Sequence, residues 1–358
     1  MYLSFVILFV LLGAGVTPIP IHSDHDQDIE KEFKVNVSLE SKEEDWQLVP
    51  DSDGKLHLVD IKNDDIMVIE PSFVAINDMI FRLWTRSNPN AGQIIQIHNN
   101  AQLASSNFSP TLQTRFHCHG WGTGGPNMGS NIRQALLARA DFNIFIVDWG
   151  AGSNTLNYIT ARNRVNEVGA VVAQFIDWIN VNGVPFSAIT VIGSSLGAHV
   201  AGAAGKRTSR GRVHAVVGLD PAGPLFSLDQ PADRMHHTDA DYVESIVTDG
   251  GRLGFEHPVG HANFYPNWGF QQPGCGEDLV GNCGHSLPSH FLSASINPAN
   301  VFGAIRCRNL DDIRQRNCVV SGASRRMGGE PIMDGAGIIG SVYLLHTHAE
   351  YPFAQGPR

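Results

Sequence analysis

Charge is scarce in this chain, and most of it is concentrated at one end. Of 358 residues, 17% are charged and 8% aromatic, with 25 Lys and Arg against 35 Asp and Glu. Twelve of the acidic residues and four lysines (Lys31, Lys34, Lys42 and Lys55) fall between Asp24 and Asp60, so this segment carries −8 of the formal −10. The rest of the chain is nearly neutral and lacks the basic excess that phosphate backbones require, which argues against a nucleic-acid partner. Internal repeats, heptads and low-complexity tracts are absent too, which removes solenoids and coiled coils. With 42% apolar residues the chain can bury a core, and 37 Gly and 19 Pro suit a fold with many strand-to-helix turns better than a helical bundle.

Beyond residue 16 no stretch is apolar enough to span a bilayer. The one long apolar run, residues 2–16 (YLSFVILFVLLGAGV), is too short to span comfortably and ends in small residues. It reads as a signal peptide over residues 1–17, so the mature protein is expected to be secreted, with no integral membrane segment. An acidic extension follows at 18–60, and the alternation from Trp46 to Ile61 predicts a short strand or hairpin at its end. In an exported chain the five cysteines become disulfide candidates. Four form two local pairs in sequence, Cys275 with Cys283 and Cys307 with Cys318, while Cys118 reads as a buried thiol. Asn36 (N-V-S) and Asn107 (N-F-S) are candidate glycosylation acceptors.

From about residue 79 apolar runs alternate with helical stretches. Met79–Trp84, Ile94–Ile97, Phe142–Val147, Ala188–Ile192 and Val213–Leu219 read as strands, and Asn131–Arg139 and Ala198–Ala204 as helices. Val165, Val168, Val172, Phe175, Ile176 and Ile179 recur at helical spacing. This order predicts an α/β fold with a mostly parallel central sheet.

Within that frame Gly193-Ser194-Ser195-Leu196-Gly197 matches G-x-S-x-G. Its position between an apolar strand and a small-residue helix is where a nucleophile elbow belongs, with Ser195 exposed at a strand's carboxyl end. Serine needs a base to take its proton, and the base needs an acid to orient it. Asp220 ends the next apolar run and is the candidate acid. Eight histidines follow it: His236, His237, His257, His261, His285, His290, His346 and His348. Spacing does not choose among them. His285 is favoured because it lies two residues after Cys283, where a disulfide would pin its loop.

The segments HGWG, VDWG, IGSSLGAHVAG, GLDPAGP, VGHANFYPNWG and CGHS, in this order, resemble the neutral lipases of the pancreatic lipase type, particularly insect members and venom phospholipases A1. The resemblance runs from about residue 45 to the end. It implies an α/β-hydrolase catalytic domain over 61–358, with helices on both faces of the sheet, and a Ser195–Asp220–His285 triad. It also implies backbone oxyanion donors at Trp121 and Leu196 and a structural role for His261. Cys275–Cys283 matches the family's lid disulfide and Cys307–Cys318 a later bridge. The enclosed lid is Gly276, Glu277, Asp278, Leu279, Val280, Gly281 and Asn282. Long-lidded members resemble triglyceride lipases and short-lidded ones phospholipases A1. The loop Gly251–Val259 corresponds to a second, reduced substrate-covering loop.

The family's calcium loop is half gone at the matching positions Pro231, Arg234, His236 and Asp239, so no metal or other cofactor is expected, and the triplet His117-Cys118-His119 does not suggest a metal either. No C-terminal lipid-binding β-sandwich is expected to follow, and so no colipase-type partner. The expected partner is lipid at a membrane, micelle or droplet surface. The expected activity is ester hydrolysis on lipids, phospholipase A1 first and triacylglycerol lipase second. A non-catalytic yolk or lipid-carrier type is disfavoured because such members lose the serine. A serine peptidase is disfavoured for want of a recognisable specificity pocket.

Overall fold

Strands that are apolar at every position, rather than at every other one, are suited to burial on both faces. Phe142–Asp148, apolar but for Asn143 and Asp148, and Ala215–Leu219, apolar throughout, are buried along their whole length and lie inside the central sheet. The computed structural model describes residues 46–51, 55–60, 72–125, 127–332 and 338–358, all within one compact unit running from Lys42 to Arg358. The signal peptide expected at 1–17, the acidic stretch before Trp46 and Asn36 lie outside the described residues.

Among the described residues there are thirteen strands: β1 (Trp46–Pro50), β2 (Leu56–Asp60), β3 (Ile80–Trp84), β4 (Gln93–Ile95), β5 (Gln113–Cys118), β6 (Phe142–Asp148), β7 (Ile189–Ser194), β8 (Ala215–Leu219), β9 (Tyr242–Ile246), β10 (Ala262–Pro266), β11 (Gly303–Cys307), β12 (Arg325–Arg326) and β13 (Ser341–Leu345). Eleven form one sheet in the order β12-β11-β13-β10-β9-β8-β7-β5-β6-β3-β4. From β6 through β5, β7, β8, β9 and β10 to β13 every pairing is parallel. Antiparallel strands close both edges. This is the arrangement of an α/β hydrolase. β1 and β2 form a separate antiparallel hairpin, as the alternation from Trp46 predicts.

Successive side chains of a strand point to opposite faces, so one strand feeds two cores. Phe145 and Val147 of β6 pack with the helices Tyr158–Val181 and Leu196–Arg207, while Ile144 and Ile146 pack with Ser130–Arg139 and Asn282–Ser295. The amphipathic helix expected around Val165–Ile179 extends further in both directions, to 24 residues, with Asn157 capping its start by accepting the N–H of Ile159.

The chain builds β5 and β6 on one side, then returns to place β7 and β8 on the other side of β5. In an open parallel sheet the crevice at the carboxyl ends of strands flanking such a reversal is where ligands bind. β5, β7 and β8 end at Cys118, Ser194 and Leu219; the candidate residues Ser195 and Asp220 follow directly, and Trp121 follows β5 by three residues.

Candidate active site

Ser195 sits between β7 and the helix Leu196–Arg207 at φ 55°, ψ −123°, a conformation that costs a non-glycine residue free energy. The turn is possible because both flanking glycines are bare. A side chain on Gly193 would collide with the backbone of Gly197, and one on Gly197 with the carbonyl oxygens of Cys118 and His119. The backbone is pinned by Ser195 N–H donating to Leu219 O at 3.0 Å. Leu196 opens the helix, so its N–H has no intrahelical acceptor.

Asp220 is fully buried, and Oδ1 accepts the N–H groups of Thr248 (2.8 Å) and Asp249 (3.1 Å). Its Oδ2 lies 2.6 Å from His285 Nδ1. His285 stands in the first turn of the helix Asn282–Ser295, directly after the Cys275–Cys283 bridge. Burial acts to lower the His285 pKa, but the hydrogen bond and charge of Asp220, with the charges of Asp249 and Asp278, outweigh it and hold the imidazole above its ordinary value. Asp249 is itself pushed up to about 7, by burial and by its neighbour Asp220.

Ser195 and His285 line one cavity of about 540 Å³, together with Trp121, Met128, Tyr158, Ala222 and Leu253. The last five supply apolar wall of the kind an acyl chain can use, beside polar residues that include Asn131, Ser286, Ser289 and His290. The turn after β5 leans on the serine so closely that a Cβ on Gly120 would lie 3.0 Å from Ser195 Cβ. His119 is held in place rather than exposed: Nδ1 meets Thr123 Oγ1 at 2.8 Å, Nε2 accepts Trp149 N–H at 3.1 Å, and the ring stacks on Trp149. Burial and the neighbouring His119 push His117 down to about 4, and burial pushes the Cys118 thiol up.

Cys275–Cys283 and Cys307–Cys318 are both bridged, and Cys118 is free and buried. The Cys275, Asp278 and Cys283 cluster is therefore no metal site, since both sulfurs are in the disulfide. The expected lid is a pinned loop. Asp278 accepts the N–H groups of Cys283 (3.1 Å) and Gly284 (2.7 Å), and Arg252 Nη1 donates to Asp278 O at 2.7 Å. Its last residue, Asn282, belongs to the helix that carries His285, and Leu279 at its tip is 82% exposed. Among the other histidines, His261 Nδ1 accepts Val243 N–H at 3.0 Å, a structural contact between strands. Asn107 is exposed.

At the positions matching the calcium loop, a cation is already present. Lys206 Nζ lies 2.7 Å from both carboxylate oxygens of Asp239 and 2.7 Å from Arg234 O. The ammonium thus bridges two of the four matching positions, Arg234 and Asp239.

Two contributors to the site were missed in the sequence. The corner Val49–Pro50–Asp51 of the hairpin lines the cavity, although its sequence announces a hairpin and not where that hairpin docks. Arg252, paired with Asp249 and reaching Asp278 O, lies in a loop the sequence marks only as short.

Comparison with known proteins agrees with this geometry. The family model described as Lipase matches residues 52–353. Lipase member H of Xenopus tropicalis is 35% identical over 66% of this chain and 52% of its own length, and that of Mus musculus 35% identical over 68% and 54%. Pancreatic triacylglycerol lipase of Myocastor coypus is 34% identical over 69% of this chain and 59% of its own. The chain thus spans about half the length of the curated relatives it matches. The sheet order, the elbow and the family match together make this chain a member of the lipase family, of the pancreatic lipase type.

Proposed function

We propose that the chain is a secreted serine hydrolase of lipid carboxylic esters, with Ser195, His285 and Asp220 as its triad. The observation that carries this reading is the 2.6 Å pairing of buried Asp220 with His285, which lines the same cavity as the strained Ser195. Ser195 Oγ attacks the ester carbon and its proton passes to His285 Nε2. Nδ1–H stays with Asp220, whose carboxylate is fixed by two backbone N–H groups and stabilises the imidazolium. The oxyanion is received by the N–H groups of Leu196 and Trp121, each worth on the order of 3 kcal/mol. Collapse breaks the ester C–O bond, and the leaving alkoxide takes the proton from His285. Water then attacks the acyl-enzyme by the same proton path and releases the fatty acid and free Ser195.

Among lipid esters the reading favours phospholipids cleaved at sn-1. The short pinned lid offers Leu279 and Val280 as its sizeable apolar groups. Each buried methylene is worth about 0.8 kcal/mol, so a missing flap weakens the hold on three acyl chains more than on a lipid whose head group stays in water. Triacylglycerol hydrolysis is the second reading, favoured by the likeness to pancreatic triacylglycerol lipase. Purified protein given position-labelled phosphatidylcholine and triolein in parallel micelles decides between them. Release of the sn-1 acid with lysophospholipid faster than oleate from triolein supports the first reading, and fast triolein hydrolysis without lysophospholipid supports the second.

A further inference from the structure

We propose that the β1–β2 hairpin is a working wall of the active site, with His57 and Asp51 as positioning residues for the oxyanion turn. The proposal rests on the reading of Ser195 as nucleophile given above. The hairpin meets the site at three places. Its corner residues Val49, Pro50 and Asp51 line the cavity that holds Ser195. His57 sets the edge of its ring against Trp121, centroids 4.8 Å apart at 61°, while Nε2 pairs with Asp51 Oδ2 at 2.9 Å. At the far end, Gln47 Nε2 donates to Arg252 O at 3.0 Å.

These contacts join the two halves of the catalytic apparatus. Trp121 is gripped on its other sides, by Tyr158 edge-on at 5.4 Å and by its own Nε1–H donating to Thr155 O at 2.9 Å. His57 therefore braces the indole of the residue whose backbone N–H is read as the second oxyanion donor. Asp51 sits against Gly122, at φ +69°, so closely that a side chain on Gly122 would collide with Asp51 Cβ. Arg252, the other anchor, follows the backbone that holds Asp220 through the Thr248 and Asp249 N–H groups. The hairpin thus ties the oxyanion turn to the loop of the catalytic acid, across a cavity that the short lid leaves open.

A donor aimed at a developing charge works only if it is held in place beforehand, so loosening Trp121 acts on the transition state more than on ground-state binding. Val49 acts differently, by shaping the wall that an ester's chain meets.

The test uses the full chain with p-nitrophenyl butyrate and octanoate, rates being expressed per site titrated by a fluorophosphonate. His57→Ala is expected to lower kcat at least about ten-fold with KM changed by less than about two-fold. His57→Phe, which keeps the ring edge on Trp121, is expected to recover most of the loss. Val49→Ala is expected to shift the octanoate-to-butyrate ratio of kcat/KM about three-fold or more, since it removes two methyl groups from the cavity wall. If His57→Ala does not fold, His57→Phe against His57→Gln carries the same comparison. Unchanged kcat per titrated site in the His57 variants, or an unchanged chain-length ratio for Val49→Ala, overturns the corresponding half of the proposal. Failure of the underlying reading looks different, because the wild-type protein would then not be titrated by the fluorophosphonate at Ser195.

Discussion

Asp220 and His285 lie 65 residues apart in sequence, and their side chains meet at 2.6 Å, carboxylate Oδ2 to Nδ1. The acid is delivered by the end of β8 and the imidazole by a helix that begins after β10. One consequence is a pH dependence. In the proposed mechanism the base must be neutral to accept a proton from Ser195, and His285 is held above its ordinary value of 6.5 by Asp220, Asp249 and Asp278 against the opposing effect of burial. Activity is therefore present above the folded-state pKa and lost as pH falls through it. The acid limb of kcat/KM on a soluble ester is expected to have its midpoint above 6.5. A midpoint at or below about 6 contradicts the pairing.

Much of this site was legible from residue order alone. G-x-S-x-G between an apolar strand and a small-residue helix located the elbow, because both its glycines are required by backbone crowding that depends on neighbours in sequence or in the adjoining strand. Asp220 followed for a similar reason, since the next parallel strand ends beside the elbow. His285 was different. Eight histidines follow Asp220, and a loop's path in space is not written in its spacing; resemblance and the neighbouring Cys283 singled it out, and the structure sets its Nδ1 on Asp220. The hairpin shows where such reasoning stops. Its alternation announced two strands, but docking on Trp121 depends on which surface the completed sheet leaves free.

The disulfide beside the base offers a second test. Cys275→Ala with Cys283→Ala opens a loop closed over a separation of eight residues, worth roughly 2–3 kcal/mol by the chain-entropy model. The activity loss is expected to exceed what the folded fraction explains, because His285 lies two residues from the bridge. Activity that tracks the folded fraction alone contradicts that link.

Lys206 gives a third. With its ammonium between Asp239 and Arg234 O, neither calcium nor a chelator is expected to move the wild-type Tm. Lys206→Met leaves the buried Asp239 carboxylate without its partner and is expected to cost about 3–5 kcal/mol. A Tm that falls on adding chelator overturns the assignment of the ammonium to that position.

Buried Glu244 predicts how stability varies with pH. Burial pushes it from 4.5 up to about 7, against the opposing hydrogen bonds from Gly328 N–H and Tyr242 Oη–H. A carboxyl whose pKa is raised on folding contributes stability that is full below its unfolded value and is lost as pH rises through its folded one. Between about pH 5 and 8, Tm is therefore expected to fall more steeply in the wild type than in Glu244→Gln. Parallel curves over that range contradict the expectation.

The central claim is that Ser195 is the nucleophile, and covalent labelling tests it most directly. Purified protein is treated with an alkyl fluorophosphonate and the modified peptide is sequenced by mass spectrometry, alongside Ser195→Ala. The expected result is one adduct on Ser195, complete inactivation of ester hydrolysis in step with labelling, and neither label nor activity in Ser195→Ala. A label on another residue, or esterase activity retained by Ser195→Ala, contradicts the account.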